Sequence, residues 1–210
     1  GEAVMAWRMD LVYSTPRHGK VEPHSPCPLA IGRPSRVRRQ YIDGIKFFDD
    51  VSPGEELALG SYDFTDDNLS TFRTKYETAT SGPSTLPHGG TVSPAAGLHV
   101  TSAWMQCLVR FYRQDALRLQ RLGKPVPLLG PAAGIKHLRW HVPVHAGERI
   151  YYSTWAERKL EISSHRGWSL LIAGAEGKNA MGQVVVSFYP QILLQRSSSN
   201  LHSIVPAASS

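Results

Sequence analysis

The order of elements along the chain predicts an α+β protein, because helices and strands fall in separate runs. Three observations carry this. One strand and two helices come first, a strand-rich run fills the last third, and no internal repeat alternates the two. Residues 56–64 (ELALGSYDF) read as a strand entered through the Ser52-Pro53-Gly54 turn. Thr65 then suits a helix N-cap, and Asp66 and Asp67 place negative charge in the first turn, where the helix dipole favours it. Leu69, Phe72 and Tyr76 recur at helical spacing, so the helix spans 66–77. Residues 78–94 form a long loop of Gly, Pro, Ser and Thr, a length that is uncommon inside a domain and often functional. A longer helix follows over about 95–120. Leu98, Met105, Leu108 and Tyr112 make its apolar stripe, with Gly97, Ser102 and Ala103 beside it. Four strands close the chain at 134–141, 149–162, 167–175 and 182–195, rich in β-branched and aromatic residues. Gly177 and Asn179 suit the hairpin turn between the last two. Pro190 cannot donate to a ladder and marks a bulge or an edge.

The chain has 210 residues, a prior for one domain, with enough apolar residues for a core. Its net charge is +6, of which residues 1–40 contribute +4. That stretch is basic and broken by prolines, and it reads as a flexible extension rather than a nucleic-acid arm. Residues 196–210 form a Ser-rich tail, leaving 41–195 as the organised domain. Cys27 and Cys107 are too few for a disulfide scaffold or a zinc ribbon. No apolar run reaches bilayer length and the N-terminus does not read as a secretory signal. A cytoplasmic protein without membrane or nucleic-acid partners is the expectation.

Three stretches in order resemble the MaoC-like dehydratases, which include the (R)-specific enoyl-CoA hydratases. They are residues 63–76 (DFTDDNLSTFRTKY), 93–104 (SPAAGLHVTSAW) and 138–149 (LRWHVPVHAGER). The resemblance spans 41–195 and implies the hotdog fold, a curled antiparallel sheet wrapped around a long central helix. It also implies a homodimer, an acyl-CoA thioester substrate and hydro-lyase chemistry with neither metal nor redox cofactor. The family's hydratases carry an Asp followed five residues later by a His. Here Glu77 matches the Asp, and Gly82 stands where the His would be. A second comparison is to the β-hydroxyacyl-carrier-protein dehydratases, whose loop His precedes a Gly by nine residues, a carboxylate by fourteen and a Gln by eighteen. Counted from His88, these fall on Gly97, Ser102 and Gln106. The Gly and Gln match, and Ser102 replaces the acid.

Hydrating an enoyl thioester requires water to lose a proton as it attacks C3, a proton to reach C2, and the thioester oxygen to be held as it gains charge. A carboxylate and an imidazole suit the proton transfers, and unpaired N–H groups at a helix N-terminus suit the oxygen. Glu77 and His88 are therefore the candidate acid–base pair. The Gly97 N–H, with no Cβ to obstruct a ligand, is the candidate oxyanion donor. Each has a bland alternative: a solvated helix-end Glu, an ordinary loop His, a glycine kept for tight packing. His99, one turn into the helix, either reaches the site or is a satisfied packing histidine, with the packing reading favoured. His137 and His141 share one strand face, but no carboxylate or Cys motif completes a metal site. Cys107 reads as a small hydrophobe, and Ser102 lacks a nucleophile context. Two other readings stay open: a non-catalytic acyl-CoA-binding protein that has lost the acid–base pair, or an acyl-CoA thioesterase in which a carboxylate and water hydrolyse the thioester.

Overall fold

The computed structural model describes residues 38–76, 94–162 and 167–197. A two-residue strand β1 (Gln40–Tyr41) and a 3-10 turn at Phe48–Asp50 precede strand β2 (Glu55–Phe64). Helix α1 (Asp66–Tyr76) follows, and then the 25-residue helix α2 (Gly97–Arg121). Strands β3 (Leu129–Trp140), β4 (Glu148–Leu160), β5 (Trp168–Lys178) and β6 (Val184–Gln195) complete the chain. The six strands form one sheet in the order β1-β2-β4-β5-β6-β3. Every pairing is antiparallel except β1 with β2. No helix among the described residues is long and apolar enough to cross a membrane.

Local chemistry sets each boundary. Thr65 caps α1, its Oγ1 accepting from Asn68 N at 3.3 Å. Asn179 closes the β5–β6 turn, with Oδ1 accepting from both Met181 N and Gln183 N. Gly177 belongs to β5 rather than to that turn, and Gly182 (φ 77°) supplies the left-handed residue instead. Pro190 lies inside β6, between β5 and β3. The β5–β6 register passes from Ile172↔Gln191 to Ala175↔Phe188 without pairing Pro190, so the missing donor costs a local break in the ladder.

The sheet curls over one side of α2. Val100, Ala103, Trp104, Cys107 and Leu108 are buried there, against Phe64, Ile150, Tyr152, Val186 and Phe188 among others. The Trp104 and Phe188 rings meet edge-on at 4.9 Å. This corrects the expected stripe. Leu108 is buried, but Leu98 and Met105 are 46% and 40% exposed. Helical spacing fits two stripes on α2, and only the one that includes Trp104 and Cys107 meets the sheet.

A β-bulge in β2 decides what faces the helix. The register with β4 slips between Ala58 and Gly60, where Gly60 takes φ 95°. Before the bulge Leu57 and Leu59 point toward the core; after it Tyr62 and Phe64 do. On the opposite face, Trp155 of β4 lies flat over Gly174 of β5, where a Cβ would fall 2.0 Å from the ring. The Arg39 guanidinium stacks 3.5 Å above that ring and bonds the buried Glu176 carboxylate at 2.6 Å.

Candidate functional site at the α2 N-terminus

Gly97 is the first residue of α2, and the packing explains why. A Cβ there would sit 2.5 Å from the Trp140 ring at the end of β3. The Trp140 indole N–H donates to Gly97 O at 2.8 Å and faces Thr101 Oγ1 at 3.2 Å. Trp140 thus fixes the start of the helix to the sheet. No side chain caps α2 at Ala96, and the first intrahelical bond runs from Val100 N to Ala96 O. The N–H groups of Gly97, Leu98 and His99 have no acceptor among the described residues. Glu77 and His88 lie outside the described residues.

His99 departs from the satisfied packing histidine that its position suggested. It is 5% exposed and stacked on Phe72 of α1, with centroids 4.3 Å apart and planes parallel to 1°. Phe64 meets it edge-on at 5.1 Å. Nε2 lies 3.2 Å from Tyr62 Oη, but Nδ1 is buried without a hydrogen-bond partner among the described residues. Burial lowers the imidazole pKa below its ordinary value, and the positive end of α2 works in the same direction. Burial, with a smaller contribution from Cys107, raises the Tyr62 pKa. Both rings are therefore neutral at pH 7.

Tyr62 is half-buried and borders a groove of about 870 Å³ along the uncovered side of α2. Ser102, Met105, Gln106 and Arg113 line the same groove. Of the helix positions counted from His88, Gln106 faces this groove, and its amide has no hydrogen bond among the described residues. Ser102 spends its hydroxyl on Leu98 O at 2.6 Å, so it does not stand in for an acid. Cys107 points to the sheet side, where burial raises its thiol pKa, which suits a packing role. His137 and His141 do not act together. His137 sits at φ 52° where the β3–β6 register slips, and His141 lies beyond the strand with Nε2 2.8 Å from Ser187 Oγ. Among the described residues, no three His, Cys, Asp or Glu side chains gather where they could hold a metal.

Two site residues escaped the sequence reading. Trp140 was legible only as part of a motif, and Tyr62 only as a strand residue. Gly60 was the available signal, since an isolated Gly in a strand pattern marks a bulge and so a change of face.

No family profile matches the chain, and no curated protein matches it. Solved structures do. A MaoC-like dehydratase from Rhodospirillum rubrum superposes with a TM-score of 0.55 at 17% identity, over 72% of this chain and 98% of that one. A MaoC domain protein from Chloroflexus aurantiacus gives 0.58 at 15% identity, over 77% of this chain and 44% of its own. Rv0216 from Mycobacterium tuberculosis, described as a double hotdog fold, gives 0.52 at 16% identity, over 79% and 52%. This chain has the hotdog fold. In hotdog terms α2 is the central helix, the β2–β4–β5–β6–β3 sheet is its wrapping, and the Gly97–Trp140 contact fixes where the helix begins.

Proposed function

We propose that this hotdog protein is a hydro-lyase on acyl thioesters, with acyl-CoA as the carrier-bound substrate. It adds water to a trans-2-enoyl group or removes it from a 3-hydroxyacyl group. The observation that carries this reading is the open N-terminus of α2, whose N–H groups are unclaimed among the described residues and whose first residue has no Cβ. In this reading the Gly97 N–H holds the thioester oxygen as it gains enolate charge. Glu77 and His88, which precede it in the chain, share the two proton transfers. The edge of β3, unpaired among the described residues, is the face a homodimer would bury.

The test follows the enoyl-thioester absorbance with a panel of trans-2-enoyl-CoAs. Wild type turns over, and His88→Ala and Glu77→Gln each lower kcat by roughly 10²–10⁴-fold. Full activity in both variants overturns the pair. The absence of a His five residues after Glu77 favours a second reading, a hotdog protein that binds acyl-CoA without turning it over. Binding without loss of absorbance selects that reading, and release of free thiol selects a thioesterase.

A further inference from the structure

His99 Nδ1, unpartnered among the described residues, decides how the Tyr62–His99 pair is protonated. A neutral imidazole carries one N–H. If that proton sat on Nδ1, the structure would bury an orphaned donor, which is rarer in proteins than an under-satisfied acceptor. The first turn of α2 also disfavours it, because its N–H groups present positive charge that a bare lone pair complements and an N–H opposes. The proton therefore belongs on Nε2, which donates to Tyr62 Oη across 3.2 Å. With its oxygen already accepting, the phenol keeps its own O–H free. No other hydrogen bond to Tyr62 Oη is present among the described residues, and the ring borders the α2 groove. Donation from Nε2–H polarises the phenol and makes it a better donor in turn.

We infer that Tyr62 O–H is a second oxyanion donor of the site, with His99 as the positioning residue that orients it toward the thioester oxygen of a bound acyl thioester. This rests on the hydro-lyase reading for its ligand, but not for its protonation state. The donor is distinct from the Gly97 N–H and comes from a different element: the β2 bulge turns Tyr62 toward the helix. As water attacks C3, the C2–C3 π electrons move toward the thioester oxygen. Tyr62 O–H donates a hydrogen bond to that oxygen without surrendering its proton, so no proton has to be returned. Both rings stay neutral throughout. The burial that holds His99 below and Tyr62 above their ordinary pKa values favours that state. The Phe72 stack and the Phe64 edge prevent the imidazole from turning away.

Two measurements on the full chain test this. The first is independent of activity: nitrogen-15 NMR of the histidine rings at neutral pH, with His99→Phe to assign the signals. A neutral His99 protonated on Nε2 is expected, and protonation on Nδ1 overturns the inference. The second uses crotonyl-CoA labelled with carbon-13 at the thioester carbonyl, read by infrared difference spectroscopy and kinetics. Bound to wild type, the carbonyl band moves to lower frequency. Tyr62→Phe loses most of that shift and lowers kcat by about 10–10³-fold with KM little changed. His99→Phe retains the phenol but loses part of the shift. An unaltered band and kcat in Tyr62→Phe, with wild type turning over, overturn the inference and leave the hydro-lyase reading intact. Wild type that neither binds nor hydrates any thioester overturns both.

Discussion

The two ends of α2 each bury a polar side chain, and they treat it in opposite ways. Near the C-terminal end Asp115 is fully engaged. Its Oδ2 accepts from Ile45 N at 2.8 Å, and its Oδ1 accepts from Arg118 Nε. Gly44 lies so close that a Cβ there would fall 2.8 Å from the carboxylate. Near the N-terminal end His99 is as deeply buried, yet one ring nitrogen has no partner among the described residues. A satisfied buried group fastens the chain, here tying the segment before β2 to the helix. An unsatisfied one costs about 1–3 kcal/mol, and a fold retains such a cost most readily where a ligand or a reaction uses the group. The difference separates the part of α2 that anchors the fold from the part that borders the proposed site.

Asp115→Ala should mark the anchoring end with the largest stability loss. It strands the buried Ile45 N–H, and we expect a loss of about 2–3 kcal/mol, read by urea unfolding, discounted from a fully buried ion pair because Arg118 is half exposed. Binding and turnover below the new midpoint should survive. A variant as stable as wild type would remove the anchoring role. Gly97→Ala drives a methyl into the Trp140 ring. It should cost about 1–3 kcal/mol and also depress activity, because the helix start must shift. Normal activity with lost stability would separate the packing role of Gly97 from its proposed oxyanion role.

The third prediction concerns acid. Burial alone would raise the pKa of Glu176, but hydrogen bonds and charge from Arg39 and Lys178 outweigh it and hold the carboxyl below its ordinary value of 4.5. A depressed carboxylate contributes stability above the unfolded pKa and loses it as pH falls through the folded one. Wild type should therefore weaken below about pH 4.5. Arg39→Gln should be less stable at neutral pH and show a shallower acid limb; identical pH–stability curves would dismiss the bridge. The smallest effect belongs to His99→Phe. An apolar ring stacked on Phe72 removes the orphan nitrogen, so stability at pH 8 should change by less than about 1 kcal/mol. Wild-type stability falls as pH drops below about 6.5, because the unfolded imidazole takes a proton that the folded one refuses. His99→Phe should flatten that segment of the curve, and a curve that keeps its slope would argue against a neutral buried His99.

Sequence pattern made most of the fold legible. The strand after Ser52-Pro53-Gly54, the Thr65 cap, the long second helix and the four closing strands each had local signatures, and the structure has them within a few residues. Face assignments were harder to read. Leu98 and Met105 fit an inward stripe as well as Trp104 and Cys107 do, because α2 is apolar on more than one side and tertiary contact alone decides which side the sheet covers. The Tyr62–His99 pair was illegible for a related reason. Its two residues are 37 positions apart and meet only because a bulge reverses the alternation of β2. Gly97 was singled out for its missing Cβ, which the Trp140 contact requires.

The strand order also has a consequence for how the chain is made. β2 precedes its long antiparallel partner β4 by a wide interval, with both helices and β3 synthesised in between. β4, β5 and β6, by contrast, are successive neighbours that pair as each emerges. Low-separation contacts form fast and distant ones slowly. The β4–β5–β6 meander therefore has the more local contacts, and β2 has to wait for β4. The bulge that turns Tyr62 toward the helix is set only once β4 has been made, so the groove forms later than the strand and the helix that border it.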